Sequence, residues 1–326
     1  MPRIGLGLVG DHTCEEMIRY AKVAERNGYE SVWVAEDLGF RDAIVPLSSL
    51  AISTSTIKLA TGILPVYYRP PALTAMTVAT LDELSKGRAI LGIGSGARHL
   101  VEKQGIEMVR PLRMLDEYVS IVRLLLSGES VSRQGYYRLR EVEFCFRPFR
   151  THIPVYIAAR GPMMFQLAGR IGDGVLMSDG FCTPSYIRYA QENVRRGIEK
   201  TGQERRDFDS ASFVILSMAE EREAAKRHAK SAVVSLLGRG TFDPYFRIMG
   251  LSPDEMSPSK LAWRKGNTKE ACEKIPDSMI DASVIYGTAE ECARGLRKLR
   301  AEGIDLPVIL PQGARIGETI ELAKDW

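Results

Sequence analysis

Several short apolar runs in this chain of 326 residues end in side chains able to move protons. Asp11 and His12 follow Ile4–Val9, Glu36 and Asp37 follow Ser31–Ala35, and Arg98 and His99 follow Ala89–Ile93 and its glycine turn. Imidazoles and carboxylates titrate close enough to neutrality to act as general acids or bases. Glu36, Asp37, His12 and His99 are therefore the candidates for proton handling. The pair Glu36-Asp37 serves equally well as a helix cap and surface charge, so both readings stand. His152 and His228 fall outside this set and read as structural or exposed. No H-x-x-x-H or comparable carboxylate spacing points to a metal. Gly94-Ser95-Gly96 is not the G-x-S-x-G elbow of a serine nucleophile.

A second group of positions offers backbone rather than side chain. Ala158-Ala159-Arg160-Gly161-Pro162-Met163 is a strand end running into a helix opened by proline. Free amides there, with the helix dipole and Arg160 alongside, suit a phosphate, although an ordinary turn with a solvated arginine fits the same residues. Gly92-Ile93-Gly94-Ser95-Gly96 lacks the G-x-G-x-x-G spacing of a dinucleotide fold. A turn without side chains, admitting a flat ring or a polyol, suits it better. At Gly62-Ile63-Leu64-Pro65 a buried β-branched strand meets glycine and then proline, which predicts a bulge at the sheet's rim. Ser178 and Asp179 end one further run.

The elements that must position these residues are legible in the pattern. Ile4–Val9, Ser31–Ala35, Ile57–Ile63, Ala89–Ile93, Val155–Ala158, Gly174–Met177, Ser212–Ser217 and Val308–Leu310 are mostly continuous in hydrophobicity, as parallel strands covered on both faces require. Amphipathic segments lie between them. Thr13 opens a T-x-x-E capping box with Glu16, then Met17, Tyr20, Ala21 and Ala24 share a face, and Gly28 stops the helix. Pro70-Pro71 opens a helix whose buried stripe is expected to be Leu73, Met76, Thr80 and Leu84, with Gly87 as its end. Thr288 and Glu291 form a second capping box before Ala293, Leu296 and Leu299, stopped by Gly303. Eight strands alternating with helices predict an α/β fold, a (β/α)8 TIM barrel spanning residues 1–326. Insertions are expected at about 126–151, a hairpin, and at about 233–283, a polar helical stretch punctuated by Pro244, Pro253, Pro258 and Pro276. In such a barrel the candidates above all fall on one face, the loops that follow the strands.

Composition narrows the function classes. The 44 basic and 41 acidic residues are interleaved, which argues against a nucleic-acid partner. Five scattered cysteines without a CxxC pair suggest neither disulfides nor zinc and fit a reducing, cytoplasmic setting. No signal peptide and no run of about 20 apolar residues is seen, so no membrane partner is expected.

The string Ala79–Arg88, ATLDELSKGR, followed by Leu91–Gly96, LGIGSG, closely resembles the bacterial luciferase-like superfamily. The coenzyme F420-dependent branch, typified by methylenetetrahydromethanopterin reductase, is the nearest match. Supporting segments span most of the chain: Trp33–Asp37, Thr61–Ile63 with Tyr67, Arg69 and Pro71, Ile157–Pro162, Ala168–Gly174 and Tyr286–Glu290. The resemblance implies a TIM barrel, a homodimer, and a deazaflavin or flavin at the strand carboxyl ends. It implies a non-prolyl cis peptide at Gly62-Ile63 behind the ring, with Gly94, Ser95 and Gly96 along the ring and its side chain. Ala159, Arg160, Gly161 and Pro162, with Ser178, would complete the cofactor site. The expected activity is hydride transfer between C5 of F420 and an electrophilic carbon of a small-molecule substrate, first of all a methylene pterin. The alternatives are an FMN-dependent monooxygenase and a non-catalytic binding homologue. The chain departs from methanogen-type reductases in carrying Val9 and Ala97 where those have acids, and Glu36-Asp37 where relatives often have Asp-His. The scaffold transfers more firmly than the substrate.

Overall fold

The computed structural model describes residues 3–180, 182–202, 207–239 and 243–326. Eight parallel strands form the predicted barrel: β1 (Gly5–Leu8), β2 (Ser31–Val34), β3 (Lys58–Thr61), β4 (Ala89–Gly94), β5 (Val155–Ala159), β6 (Gly174–Gly180), β7 (Asp209–Met218) and β8 (Leu306–Gln312). Each pairs with the next. β8 pairs with β1, and this contact closes the ring. Every residue of β1, β2 and β4 is buried, which explains why these runs are apolar throughout rather than alternating. The lumen is filled, not open. Trp33 meets Tyr156 and Phe213 edge-on at 5.2 and 6.5 Å, and its indole nitrogen donates to Ser31 Oγ at 2.8 Å.

The outer helices are α1 (Cys14–Arg26), α2 (Ile44–Ser53), α3 (Pro71–Leu84), α4 (Pro111–Leu126), α5 (Pro162–Ile171), α6 (Pro184–Glu199), α7 (Ala289–Ala301) and α8 (Ile316–Ala323). Both predicted capping boxes form. Thr13 caps Glu16 and Thr288 caps Glu291, and each glutamate returns a bond to the cap amide. A cap of this kind contributes about 0.5–2 kcal/mol and fixes where the chain turns from loop to helix.

The stripe predicted for α3 is corrected. Its packed face is Pro71, Thr74, Ala75, Val78, Ala79, Leu81 and Asp82, whereas Leu73, Met76 and Leu84 are exposed and Thr80 with them. The helix is apolar on two sides, so periodicity alone could not say which side meets the barrel.

Between α4 and β5 lies the expected hairpin, Val131–Gln134 against Arg138–Val142, its turn held by Glu117 accepting from the Tyr136 and Tyr137 amides at 3.0 Å. The helical stretch after β7 starts earlier than predicted, with Arg222–Arg239, and continues through Asp243–Phe246, Pro253–Arg264, Thr268–Lys274 and Asp277–Ser283. Pro258 lies inside the third of these helices rather than at a break. No described helix is long and apolar enough to cross a membrane.

Candidate active site

The site is built where β3 leaves the ring. Pairing with β4 runs through Leu59↔Ala89 and Ala60↔Ile90, then resumes at Leu64↔Ile93 and Pro65↔Gly94. Four steps along one strand therefore oppose three along the other, which is the predicted bulge, centred on Gly62-Ile63. Neighbours supply the ladder bonds this costs. Gly62 donates to Val34 O at 2.7 Å, and Thr61 Oγ1 both accepts from the Gly92 amide and donates to the Gly92 carbonyl, at 2.9 and 2.7 Å. The Gly62-Ile63 peptide is cis, as the resemblance implied. A side chain at Gly62 would meet the Phe213 ring at 2.8 Å.

A cavity of about 390 Å³ opens at this end of the barrel, within the size range of small-molecule sites. Leu8, Val9, Phe213 and Leu310 form its floor. Ala35, Glu36 and Asp37 form one wall, and Gly62, Ile63, Pro65 and Tyr68 the next. Ser95, Gly96, Ala97 and Arg98 face them, followed by Ala158, Ala159, Arg160 and Gly161. Gly96 turns with φ +72°, and a Cβ there would lie 2.9 Å from Pro65 Cβ, so this corner admits no side chain. Gly161, the N-cap of α5, makes no side-chain cap bond, so the first-turn amides after Pro162 have no partner within the helix. The Tyr245 hydroxyl lies close above Gly161, and Tyr186 donates to the Arg160 carbonyl at 3.1 Å.

Most of the predicted site residues are thus brought together. Glu36, Asp37, Gly62, Ile63, Ser95, Gly96, Ala159, Arg160 and Gly161 share one cavity; Gly94 and Pro162 stand directly behind it in chain order. His12 does not line it: its ring packs edge-on against Tyr20 at 5.4 Å and lies 3.8 Å from Asp11. His99, in the short helix Arg98–Glu102, is at the rim, within electrostatic reach of Asp37 and Arg160. Ser178 belongs to β6, but its side chain falls outside the described residues. Sequence reasoning missed the outer wall: Leu100, Met108, Met164, Leu236 and Tyr245. The last two come from the helical insertion after β7, and no local pattern signals that it folds back over the mouth.

Both signs of charge line the cavity. Burial pushes the Arg160 guanidinium down from its ordinary value, though arginine remains charged. Burial also lowers His99, helped by Lys103 and Arg160 and opposed by Asp37. On the opposite wall Tyr68 is raised by burial and by the negative charge of Asp37 and Glu36. Asp37 thus lies close enough to act on both His99 and Arg160. Among the described residues no cluster of His, Cys, Asp and Glu has the arrangement to hold a metal ion.

The family model for luciferase-like monooxygenases matches residues 1–306. A 5,10-methylenetetrahydromethanopterin reductase of Archaeoglobus fulgidus is 33% identical over 93% of this chain and 91% of its own. An F420-dependent glucose-6-phosphate dehydrogenase of Kineococcus radiotolerans is 32% identical over 88% of this chain and 91% of its own. Among solved structures, the coenzyme F420-dependent tetrahydromethanopterin reductase of Methanopyrus kandleri superposes with a TM-score of 0.91 at 27% identity, covering 99% of this chain and 97% of the other.

Proposed function

The chain belongs to the luciferase-like monooxygenase family and is an oxidoreductase; on that premise we propose that it binds coenzyme F420 in the cavity at the strand carboxyl ends and passes a hydride between the deazaflavin C5 and an electrophilic carbon. The methylene carbon of methylenetetrahydromethanopterin is the first acceptor to test, because relatives bearing that reductase name align over more than nine-tenths of the chain. The observation that carries the reading is the slot between the Gly62-Ile63 bulge and the Ser95-Gly96 turn, two walls of one cavity where a Cβ on either glycine would strike Phe213 or Pro65.

The residues present fit such a group. The slot suits a planar ring, while Arg160 and the open first turn of α5 suit an anionic substituent. When bound, the deazaflavin supplies the hydride chemistry, and the protein supplies position and field. Ala159, Arg160 and Gly161 hold the anionic end. Leu8, Phe213, Leu310, Leu100 and Met108 keep water from the floor and far wall, which strengthens the field of the charges that remain. Glu36 and Asp37 set a negative wall against the acceptor, able to hold positive charge or relay a proton, with His99 assisting at the rim.

Titration with F420 and FMN, followed by anaerobic and aerobic oxidation of the reduced cofactor with and without the methylene pterin, tests the reading. F420 binding with acceptor-dependent, oxygen-independent turnover is expected. Tight FMN binding with oxygen consumption and no F420 affinity would overturn it in favour of a monooxygenase. Binding without turnover across a panel of acceptors would indicate a non-catalytic homologue.

The same reading includes a homodimer. Val45 and Ile52 on α2, with Leu73 and Met76 on α3, leave apolar side chains on neighbouring helices open to solvent, Ile52 at 74% exposure. Light scattering should give twice the chain mass, and M76D should lower it. Five free cysteines suit a reducing compartment.

A further inference from the structure

Arg69 lies on the loop between the β3 bulge and α3, and its side chain reaches back over the rim to the acids that follow β2. A single terminal nitrogen, Nη2, donates to Glu36 at 3.2 Å and to Asp42 at 2.5 Å. The two carboxylates differ in setting. Glu36 lines the cavity and its side chain is only 10% exposed. Asp42 is 41% exposed, stands off the cavity wall and precedes the α2 N-cap Ala43, accepting from the Ile44 and Val45 amides at 2.8 and 3.0 Å. The main chain at Arg69 is pinned separately: its carbonyl accepts from the Tyr118 hydroxyl at 3.0 Å, which also bonds Thr74. Arg69 Nε is buried and finds no partner among the described residues.

An arginine free to turn on the surface would present its two-donor fork to a carboxylate. Here the loop fixes the backbone, the Nε donor is forgone, and the guanidinium still points at Glu36. Burial alone would lower the proton affinity of Arg69, but Glu36 and Asp42 reverse that and raise it. A pairing this constrained, with one partner in the cavity wall, does more than tie two loops together.

We propose that Arg69 is a positioning residue for the acceptor half of the site: it fixes the Glu36 carboxylate against the cavity in register with the Gly62-Ile63 turn. The inference rests on the F420-dependent reading above. Removing Arg69 then leaves the Glu36 carboxylate only the long 3.5 Å bond from the Ala43 amide, which slows turnover of the acceptor while leaving the cofactor's own contacts, on the Ser95-Gly96 and Ala159–Gly161 side, in place.

The test uses the whole chain as R69M, R69K, E36Q, D42N and the double variant R69M/E36Q. The F420 dissociation constant, kcat and KM for the acceptor, and the Tm of the unloaded protein are measured for each. R69M and E36Q should each lower kcat at least tenfold with F420 affinity within threefold of wild type. The double variant should fall no more than threefold below the worse single, because the two act as one unit. R69K should recover at least a third of the loss. D42N keeps the bonds from the first α2 amides, since asparagine accepts them as well as aspartate does, and should stay within threefold of wild type. An equal loss in D42N, or losses that multiply in the double variant, would mean that Arg69 merely tethers the loop, and would overturn the proposal. Should R69M not fold, R69K, E36Q and D42N decide: a kcat lowered in E36Q and held within threefold in D42N, with R69K no worse than E36Q at unchanged F420 affinity and Tm, supports it, and a loss in D42N equal to that in E36Q overturns it. Carboxyl 13C spectra of the unloaded chain, with E36Q identifying the Glu36 resonance, separate this from failure of the functional reading. That resonance should move in R69M or R69K and hold in D42N even if F420 never binds. A resonance unmoved by the Arg69 variants overturns the proposal.

Discussion

The two ends of the barrel use the same residue types to opposite effect. At the amino end, Arg3 pairs with both Glu30 and Asp209, and Lys58 joins the same glutamate. Arg88 donates five bonds to oxygens of Ser85 and of Ala51, Thr54 and Ile57. Arg150 clamps the fully buried Asp82 and the Ala89 carbonyl. A hollow of about 570 Å³ lies there, larger than the cavity at the mouth. Yet Arg88, Arg150, Tyr156 and Asp209 in its lining already bond to one another's elements. At the carboxyl end the cavity is smaller, but glycines open its walls, and Glu36, Asp37, Arg98 and Arg160 all line it. Volume alone does not mark the candidate site. Loops before the strands carry stability, and the site proposed above lies on the loops after them, as expected of this barrel.

The sharpest way to break that division is D82A. It strips Arg150 of its buried partner and leaves the Ala89 amide without its acceptor, and such a loss costs about 3–5 kcal/mol. Guanidinium denaturation should show it, with kcat of the folded fraction within twofold of wild type; a larger fall in kcat would mean that the amino end reaches the chemistry after all. At the mouth, G96V forces a branched side chain onto φ +72° and against Pro65, costing about 1–3 kcal/mol and at least tenfold in F420 affinity by fluorescence titration. R160M should cost F420 about tenfold, which is ~1.4 kcal/mol, with Tm unchanged. A drop in Tm without a loss of affinity would move Arg160 into the structural class.

The same contrast explains what the sequence made legible. Strands buried on both faces cannot alternate, so all eight announce themselves, and the boxes at Thr13 and Thr288 mark helix starts by bonds between residues three apart. The bulge was readable because a glycine inside a buried β-branched run, with a proline three residues on, marks an interrupted ladder, which here resumes at Leu64 and Pro65. These are local causes. The α3 stripe was misread because Leu73, Met76 and Leu84 keep helical spacing just as well as Thr74, Val78 and Leu81, and only packing on the barrel chooses between them. Tyr245 and Leu236 reach the cavity through a long insertion, and Arg69 finds Glu36 across 33 residues. Those contacts depend on closure of the ring, which no window of sequence contains.

The smallest effect concerns His99. Burial, Lys103 and Arg160 together outweigh Asp37 and hold its imidazole below the ordinary 6.5. The unfolded chain therefore takes up this proton at higher pH than the folded one. By linkage, the stability contributed by neutral His99 is fully present above about pH 6.5 and is lost as pH falls through the lower folded value. Because the imidazole sits at the rim with much of its surface in water, the slope is expected to be shallow, and H99N should flatten it. Proton NMR of the ring Hε1 resonance follows the same titration directly. R160M should move the midpoint up, toward 6.5, by removing a neighbouring positive charge, and D37N should move it further down. A midpoint indifferent to both substitutions would mean that the opposed charges of the mouth do not act on one another through the cavity, and the contrast with the self-satisfied amino end would lose its electrostatic half.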